Sequence, residues 1–411
     1  MSVRRRPGCW LKGALLAALL FLLTQTPFIY HRYQLGRLAA AIQQFNAQRA
    51  PLAPTEDPYA DYAGVLHVHS ALGGHSTGTL ADIVRAARAS NLAFVVMTEH
   101  PAADMDTAAQ TLRGWHGGVL FIPGSETSES ADDRLLTFGA DAHAPDAPPG
   151  TPTQELIDRA KQAGQLVFVA HPETFRSWQT AHGFDGMEVY NLHADARHVR
   201  PAALFFDGLW SYRAYPHLLW TRFAQPPVEN LRRWDEMIAT GRKVVAVAGN
   251  DAHQNVGLSL QHLTGRPIIK LELDPYERSF QVVRTHVILD RAQPFDTDTL
   301  LAALAAGHAY VAFDLLCDAG GFRLTADNGQ GRKLPGDEIA LGAGVRLRVA
   351  TPVESRIVLV KDGQPFDAAT AARHEWTLTR SGVYRVECYL PQLGPPLAAQ
   401  PWIISNPVYV R

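Results

Sequence analysis

The sequence predicts a mixed α/β fold, with a parallel sheet covered by helices and built as a barrel of βα units, distorted or incomplete. Between about residues 62 and 312, short apolar runs alternate with helical patterns, which is the arrangement of parallel-sheet proteins. The helical patterns also carry start and stop signals. The apolar runs are residues 65–66, 93–97, 119–122, 166–170, 187–190 and 244–248.

Composition limits the classes of function. The chain has 411 residues, enough for two or three domains, and its hydrophobic content of 46% supplies a large core. Its net charge of -2, without a basic stripe, gives no reason to expect nucleic acid as a partner. Seventeen histidines against three cysteines favour nitrogen and oxygen ligands in any metal site. The cysteines show no paired spacing, which excludes a zinc ribbon or a thioredoxin-like motif.

Residues 1–32 have the pattern of a membrane anchor. Three arginines, Arg4 to Arg6, precede an apolar run, and residues 11–30 approach the length of about 20 residues that spans a bilayer. No small-residue cleavage site follows the run. We expect an uncleaved transmembrane helix with the arginines in the cytoplasm and the body exported, periplasmic or extracellular. The alternative is a cleaved signal and a secreted protein.

Residues 33–60 predict a short helix followed by a linker. Leu35, Leu38, Ile42 and Phe45 have helical spacing, and a proline-rich stretch follows them. This segment is a plausible stalk between the membrane and the body.

The third domain, residues 61–315, contains the helices with the clearest end signals. Thr79 precedes an apolar helical pattern and has Asp82 three positions on, as in a capping box. Thr151 and Pro152 open a helix that stops at Gly164. A third helix, with Val228, Leu231 and Ile238 on one face, stops at Gly241.

The fourth domain, residues 316–411, predicts a small antiparallel β-sandwich. Residues 345–349 and 383–388 alternate with a period of two, and Asp362-Gly363 is a hairpin turn signal. The domain has no cluster of ligand-type residues, which favours packing or partner binding over chemistry. Cys317 and Cys388 would face an oxidising compartment if exported, and whether they pair is left open.

Residues with metal-ligating side chains follow the apolar runs of the third domain, always on the carboxyl side. The carboxyl ends of parallel strands meet at one mouth of a βα barrel, which is where such folds place their chemistry. If residues 65–68 form a strand, His67 and His69 project to the same side. The ligand-type residues are His67, His69, His100, Glu126, His171, Asp251 and His253.

These motifs, in this order, resemble the PHP family, named for its polymerase and histidinol-phosphatase members. The resemblance covers about residues 62–312 and includes His67-Val68-His69, Thr98-Glu99-His100, Gly124-Ser125-Glu126, Ala170-His171-Pro172 and Asn250-Asp251-Ala252-His253. It is strongest to the branch of carbamate hydrolases of the CehA/McbA type, through Glu188-Val189-Tyr190-Asn191 and Trp234-Asp235. Glu99 and Asn250 depart from the pattern, at positions that are not usual ligands.

The resemblance implies a distorted (β/α)7-type barrel and three divalent metal ions per chain, of zinc, manganese or iron. His67, His69, Glu126 and Asp251 would hold the first ion. Glu126 would bridge to a second ion, shared with His143 and His171. His75, His100 and His253 would hold the third. Of these residues, Glu126, His171 and Asp251 are implied to be catalytic.

The function implied is hydrolysis of a small-molecule substrate by a metal-activated water, without a covalent protein nucleophile. A phosphoesterase is the first interpretation, and Arg197, Arg200 and Arg222 are candidate phosphate anchors, although each is individually better explained as a surface arginine. The alternative is a carbamate, ester or amide hydrolase. A non-catalytic metal-binding or adhesion module of the cell envelope is an alternative of another class. Three interpretations are open for the aromatic-rich residues 205–223: a lid over the substrate, a patch that faces the membrane, or a loop that packs on the body.

Overall fold

The computed structural model describes residues 7–50, 57–102, 104–128, 133–143, 150–196, 201–222, 224–255, 257–261, 267–272 and 274–411. The helices are α1 (Pro7–Gln48), α2 (Leu80–Ala89), α3 (Thr107–Gln110), α4 (Thr153–Gln162), α5 (Leu192–Ala196), α6 (Pro201–Ser211), α7 (Val228–Ala239), α8 (Tyr276–Val282) and α9 (Thr297–Ala306).

The strands alternate with these helices as far as residue 312 and then follow one another. They are β1 (Tyr59–Val68), β2 (Phe94–Met97), β3 (Gly114–His116), β4 (Val119–Ile122), β5 (Gly124–Ser128), β6 (Arg134–Phe138), β7 (Leu166–Ala170), β8 (Gly186–Asn191), β9 (Val245–Ala252), β10 (Gly257–Gln261), β11 (Pro267–Glu272), β12 (Arg284–Asp290), β13 (Ala309–Ala312), β14 (Arg323–Asp327), β15 (Arg332–Lys333), β16 (Glu338–Ile339), β17 (Val345–Lys361), β18 (Gln364–Leu378), β19 (Gly382–Tyr389), β20 (Pro401–Ser405) and β21 (Val408–Val410).

The central sheet has the order β4-β2-β1-β9-β8-β7-β6-β5. The pairings from β4 to β7 are parallel, whereas β6 is antiparallel to both β7 and β5. The mixed α/β fold predicted from the sequence is confirmed, and each of the six apolar runs lies on a strand. Because the strands from β4 to β7 in this order run the same way, their carboxyl ends lie along one edge of the sheet.

Helix ends follow the sequence signals closely. Thr79 and Asp82 form the predicted capping box at the start of α2, with the Thr79 side chain accepting a hydrogen bond from the backbone N–H of Asp82. Gly164 and Gly241 lie just beyond α4 and α7 with φ angles of 74° and 89°, values that favour glycine. These helix ends determine where each chain segment turns back toward the sheet.

Most pairings of the carboxyl-terminal strands are antiparallel, as predicted, but β16 pairs with β21 in parallel. β17 and β18 form a hairpin whose turn residues, Asp362 and Gly363, both have positive φ angles, of 49° and 78°. This is the conformation that the Asp-Gly signal predicts. Hydrogen bonds between β13 and β20 join these strands to the strands that precede them, and one apolar cluster contains residues from both parts of the chain. Cys317 and Cys388 are both buried free thiols.

The amino-terminal helix differs from its prediction, because the expected anchor and the expected short helix are one continuous helix, α1. Pro27 lies inside it and cannot donate to the carbonyl of Leu23. The hydroxyl of Thr26 donates to that carbonyl instead, at 2.7 Å, so the turn keeps its hydrogen bonding. α1 is long and apolar enough to cross a membrane or to serve as a signal sequence. Residues 51–56 of the predicted linker lie outside the described residues.

A buried ionic network joins β1, β12 and Asp314, which lies two residues beyond β13. Both ring nitrogens of His286 face carboxylates, Nδ1 at 2.8 Å from Asp61 and Nε2 at 3.1 Å from Asp314. Tyr310 donates a further hydrogen bond to Asp61 at 2.6 Å. Ionised carboxylates only accept hydrogen bonds, so the imidazole carries both protons and a positive charge. Burial alone would lower the pKa of His286, but Asp314 and Asp61 raise it to about 10.

This network predicts a loss of stability at alkaline pH. The pKa of His286 is raised above the unfolded value of 6.5, so its contribution to stability is complete below that pH and is lost as pH rises through about 10. We expect the melting temperature to fall between pH 7 and pH 10 in the parent protein and to fall less in His286→Asn. Thermal denaturation in detergent checks this, with exposed His182→Asn as the control. Equal slopes for all three proteins would contradict it.

Candidate metal centre

The two histidines of the His-x-His motif lie at the end of β1 and are both buried. Nε2 of His67 is 3.2 Å from Oε2 of Glu126 and 3.3 Å from Oδ1 of Asp251. Nε2 of His69 is 3.3 Å and 3.5 Å from the same two oxygens. Two imidazoles and two carboxylates therefore converge on one point, although they come from three strands.

The backbone that brings His67 there is not the regular strand that the sequence suggested. His67 has a φ angle of 65°, and the pairing of β1 with both neighbours shifts register between residues 65 and 68. His171 and Asp251 also have positive φ angles, of 46° and 48°. Left-handed conformations at non-glycine residues cost roughly 1–3 kcal/mol each and cluster at functional sites. Three of them at three strand ends mark this edge of the sheet as such a site.

Glu126 connects the cluster to its neighbours. It lies on β5, which continues from β4 and pairs with β6 as an antiparallel hairpin. Nε2 of His100, three residues beyond the end of β2, is 3.3 Å from Glu126 Oε2. Nε2 of His171, directly after β7, is 3.6 Å from the other carboxylate oxygen. Both oxygens of Glu126 are thus presented to imidazoles, as a bridging ligand requires.

Asp251, at the end of β9, also presents both of its carboxylate oxygens to imidazoles. Its Oδ2 is 3.3 Å from Nε2 of His171, while its Oδ1 faces His67 and His69. Nδ1 of His253 is 3.4 Å from Asp251 Oδ1 and 2.8 Å from the Asp251 carbonyl oxygen. The rings of His69 and His253 stack with centroids 4.3 Å apart. The structure therefore brings seven of the predicted ligands into one cluster.

The cluster passes a test of fit for divalent cations. Six buried ligand-type atoms of these residues have no hydrogen-bond partner within the described part of the chain. They are Nε2 of His67, His69 and His171, Nδ1 of His69, Oε2 of Glu126 and Oδ1 of Asp251. Leaving buried polar atoms unpaired is costly, so atoms placed together in this way require a common partner. Ligands about 2.0–2.2 Å from a cation stand about 3.0–3.5 Å from one another, which is the spacing observed here.

Three groups of ligand atoms meet the distances that one ion needs, within the described part of the chain. The first group has four members and the other two have three each. They are His67, His69, Glu126 and Asp251; His69, His100 and His253; and His193, Asp251 and His253. Imidazole and carboxylate ligands suit zinc, manganese and iron, in agreement with the sequence composition.

The charges of the cluster are balanced against one another. Burial would raise the pKa values of Glu126 and Asp251, but the facing histidines, His67 foremost, hold both well below their usual range. Burial likewise opposes charge on His67, yet the carboxylates, Glu188 foremost, raise its pKa well above normal. Positive charge must therefore accompany these carboxylates, whether it comes from protons or from metal ions.

The outer histidines have the opposite tendency. Burial and the neighbouring histidines lower the pKa of His100 to about 4 and that of His253 to about 3. Both imidazoles are consequently neutral near pH 7. A neutral imidazole is the form that binds a metal ion.

Glu188 is a functional residue that the sequence reasoning did not place in the site. It is fully buried on β8, and its Oε1 is 2.6 Å from Nδ1 of His67. Its Oε2 accepts from the backbone N–H of His171 at 3.0 Å. Nδ1–H of His67 therefore donates to Glu188, which leaves the Nε2 lone pair facing the cluster. The carboxylate thus orients one ligand and the chain segment that bears another.

Three predicted ligands lie outside the three groups. His171 nevertheless faces Glu126 and Asp251, whereas His75 and His143 do not. His75 is exposed, and its ring centroid is 4.7 Å from that of His100, so it borders the cluster. His143 is also exposed, and its Nδ1 is 2.7 Å from Oδ2 of Asp106. The structure does not bring His143 into the cluster, because that ion pair and a hydrogen bond from Gln165 to its carbonyl hold the loop elsewhere.

His193 belongs to one of the three groups, although it was not among the ligands predicted from the sequence. It follows β8 on α5, with its ring centroid 5.4 Å from that of His253. The rule that found the other ligands, a histidine just after an apolar run, applies to it as well. Of the proposed phosphate anchors, Arg222 is paired with buried Asp207 at 2.9 Å, whereas Arg197 and Arg200 lie outside the described residues.

We predict that Glu188→Gln lowers metal affinity about 10- to 100-fold, the usual effect of losing a carboxylate that orients a histidine ligand. The substitution keeps the shape of the side chain but removes the charge that faces His67. Competition with a chromophoric chelator measures the affinity. Glu354→Gln, an exposed carboxylate on β17, is the control. Equal affinities in both variants would show that Glu188 does not position His67.

Gly249→Ala tests the same contact from the opposite side. A Cβ added at Gly249 would lie 1.8 Å from Oε1 of Glu188, so the carboxylate would have to move away from His67. We expect a loss of metal affinity similar to that of Glu188→Gln. Gly331→Ala is the matched control, because its added Cβ meets nothing within 4 Å. The chelator competition decides, and unchanged affinity in Gly249→Ala would contradict the assigned packing.

Comparison with known proteins gives remote structural likeness only. No protein-family model and no curated protein matches the chain. A two-domain protein of Bacteroides vulgatus, described as containing a predicted PHP-like metal-dependent phosphoesterase, is similar at 15% identity and a TM-score of 0.38, over 85% of this chain and 96% of that one. PsfC of Pseudomonas syringae is similar at 14% identity and a TM-score of 0.37, over 62% and 92%.

A third solved structure is from Bifidobacterium adolescentis, and its name describes a candidate metal-dependent phosphoesterase. It is similar at 14% identity and a TM-score of 0.26, over 53% of this chain and 94% of that one. These values do not establish a family for the chain. The functional conclusion therefore rests on the geometry of the cluster.

Proposed function

We propose that the protein is a metal-dependent hydrolase, and specifically a phosphoesterase of the PHP type. The observation that carries the proposal is the convergence of buried ligand atoms without hydrogen-bond partners at one edge of the sheet. In an ordinary packed core, unpaired polar atoms and buried charges of this kind would destabilise the fold. Bound cations would compensate for them.

Divalent ions held by this cluster would supply an activated water and would polarise the phosphoryl oxygen of a substrate. The chain's own residues prepare the site for them. Glu126 presents one carboxylate oxygen to each side of the cluster, and Glu188 keeps His67 in the tautomer that can bind. Nη1 of Arg134 lies 3.2 Å from Oε1 of Glu126 and is partly exposed, so a cation stands beside the cluster where a phosphate would enter.

The finer parts of the proposal follow the PHP resemblance. They are a distorted barrel for residues 61–315 with three ions per chain, a β-sandwich for residues 316–411, and a transmembrane α1 that anchors an exported body. His193 is a candidate to complete the ligand set in place of His143, because it stands within reach of Asp251 and His253. The ligands assigned from the sequence are otherwise retained.

A carbamate, ester or amide hydrolase of the CehA/McbA type is the alternative within the same chemistry. The same ligand set would activate water in both cases, so the substrate screen separates them. Arg134 favours the phosphoesterase, since a guanidinium beside the cluster complements a phosphate dianion better than a neutral carbamate.

The test is chelation and metal add-back on the full-length protein. We expect chelation to abolish hydrolysis, and zinc, manganese or iron to restore it. The assays are phosphate monoesters and diesters beside aryl carbamates and esters. Asp251→Asn should lower the restored rate at least about 100-fold, because it removes a charged ligand that faces three histidines.

Asp141→Asn, an exposed carboxylate in a loop, is the control and should keep the parent rate. Turnover of carbamates alone would select the alternative chemistry. Failure of every ion to restore any hydrolysis, in protein that still binds the ions, would reject the enzyme proposal in favour of the non-catalytic metal-binding module.

A further inference from the structure

Helix α6 has an outward face unlike that of an ordinary surface helix. Phe205 and Leu209 are 51% and 64% exposed, and their spacing of four residues places them on the same face. The sequence of α6 contains one charged residue, Asp207, and that residue is fully buried. A surface helix normally carries charged residues on its solvent side, so α6 lacks what would keep this face in water.

The opposite face of α6 is fixed to the amino-terminal helix. Asp207 is 3.0 Å from Nδ1 of His31, and the ring of Phe206 lies 5.3 Å from that of Phe28. The indole nitrogen of Trp210 donates to Gln25 at 3.2 Å. α6 therefore crosses α1 between residues 25 and 32, and the buried contact between Asp207 and His31 sets its rotation so that Phe205 and Leu209 face outward.

The position of this crossing along α1 sets the depth of α6 in a bilayer. The helix rises about 27 Å between Trp10 and Phe28, close to the roughly 30 Å thickness of a hydrocarbon core. Over this stretch α1 exposes a run of large apolar side chains, including Trp10, Leu16 and Leu23, at 73%, 57% and 55%. Exposed Tyr30 and Tyr33 follow, as aromatic residues do at a membrane boundary. α6 thus meets α1 where the span ends.

We infer that the face of α6 formed by Phe205, Gly208 and Leu209 inserts into the surface of a lipid bilayer beside the α1 span. The exposed apolar side chains of α6 adjoin those of α1. They lie at the depth where the lipid headgroups meet the acyl chains. A helix of this kind lies in the plane of the interface with its apolar face buried.

The same segment is connected to the metal centre. Tyr212, just after α6, has the guanidinium of Arg278 4.3 Å from its ring centroid. Arg278 lies on α8, whose Tyr276 donates a hydrogen bond at 2.6 Å to the carbonyl of His69. The segment that bears the inserted face is therefore linked to the metal cluster through α8, and this link favours a substrate that is carried by a lipid. This last consequence rests on the proposed hydrolase activity, and the insertion rests only on the membrane span proposed for α1.

The test places a fluorescent label on full-length protein reconstituted in phosphatidylcholine vesicles. Cys9 is replaced by serine, and a single cysteine is introduced as Phe205→Cys or Leu209→Cys, since the two remaining cysteines are buried. Phe366→Cys on β18 is the matched control, because Phe366 is 52% exposed against 51% for Phe205. We expect lipids brominated near the headgroup end of the acyl chain to quench the labels at 205 and 209 at least about twofold, and to leave the label at 366 unquenched.

Two results would overturn the inference. Labels at 205 and 209 that behave like the label at 366 would show that the face stays in water. A blue-shifted emission without quenching by brominated lipid would show that protein, such as a second copy of the chain, covers it. If either variant fails to fold, Gly208→Cys carries the label instead, because an added Cβ there meets nothing within 4 Å. Quenching needs no turnover, so failure of the hydrolase proposal would leave this result unaffected.

Discussion

The structure depends on one electrostatic constraint, which is that Glu126 and Asp251 are ionised although both are buried. Both carboxylates are buried, and both are surrounded by imidazoles 3.2–3.6 Å away. Isolated buried charges are among the most expensive features that a fold can contain. The strained backbone at the strand ends, the buried Glu188 behind His67 and the side chain missing at Gly249 all serve to keep these groups together despite that cost. Bound cations would recover this energy.

Much of this cluster could be predicted from the sequence, because the residues that follow parallel strands lie close together at one edge of the sheet. His100, His171 and His253 follow different apolar runs, and the carboxyl ends of those runs lie along one edge. The backbone conformation of each ligand residue could not be predicted in this way. The left-handed backbone of His67 and Asp251 is imposed by neighbouring strands, and no local pattern in the chain encodes it.

The residues that sequence reasoning missed have a common physical reason. Glu188 lies inside a strand, where a carboxylate usually points to solvent, and only the tertiary fold turns it toward His67. His193 precedes the aromatic-rich residues 205–223, in a segment whose histidines were not included in the predicted site. His143 was assigned by order along the chain, but its neighbour in space is Asp106. The continuity of α1 was missed because the chain changes near residue 32 from an apolar run to an amphipathic helical pattern, and the two were assigned to separate segments, whereas the helix continues through both.

The central claim is that cations occupy the space between Glu126, Asp251 and the histidines that face them. Anomalous X-ray diffraction from crystals of metal-supplemented protein tests it most directly, because it locates each ion independently of any activity. The account predicts anomalous peaks within about 2.5 Å of the Nε2 atoms of His67 and His69 and of the carboxylate oxygens they face. Peaks only at other places on the molecule, or none in crystals soaked with zinc or manganese, would contradict it.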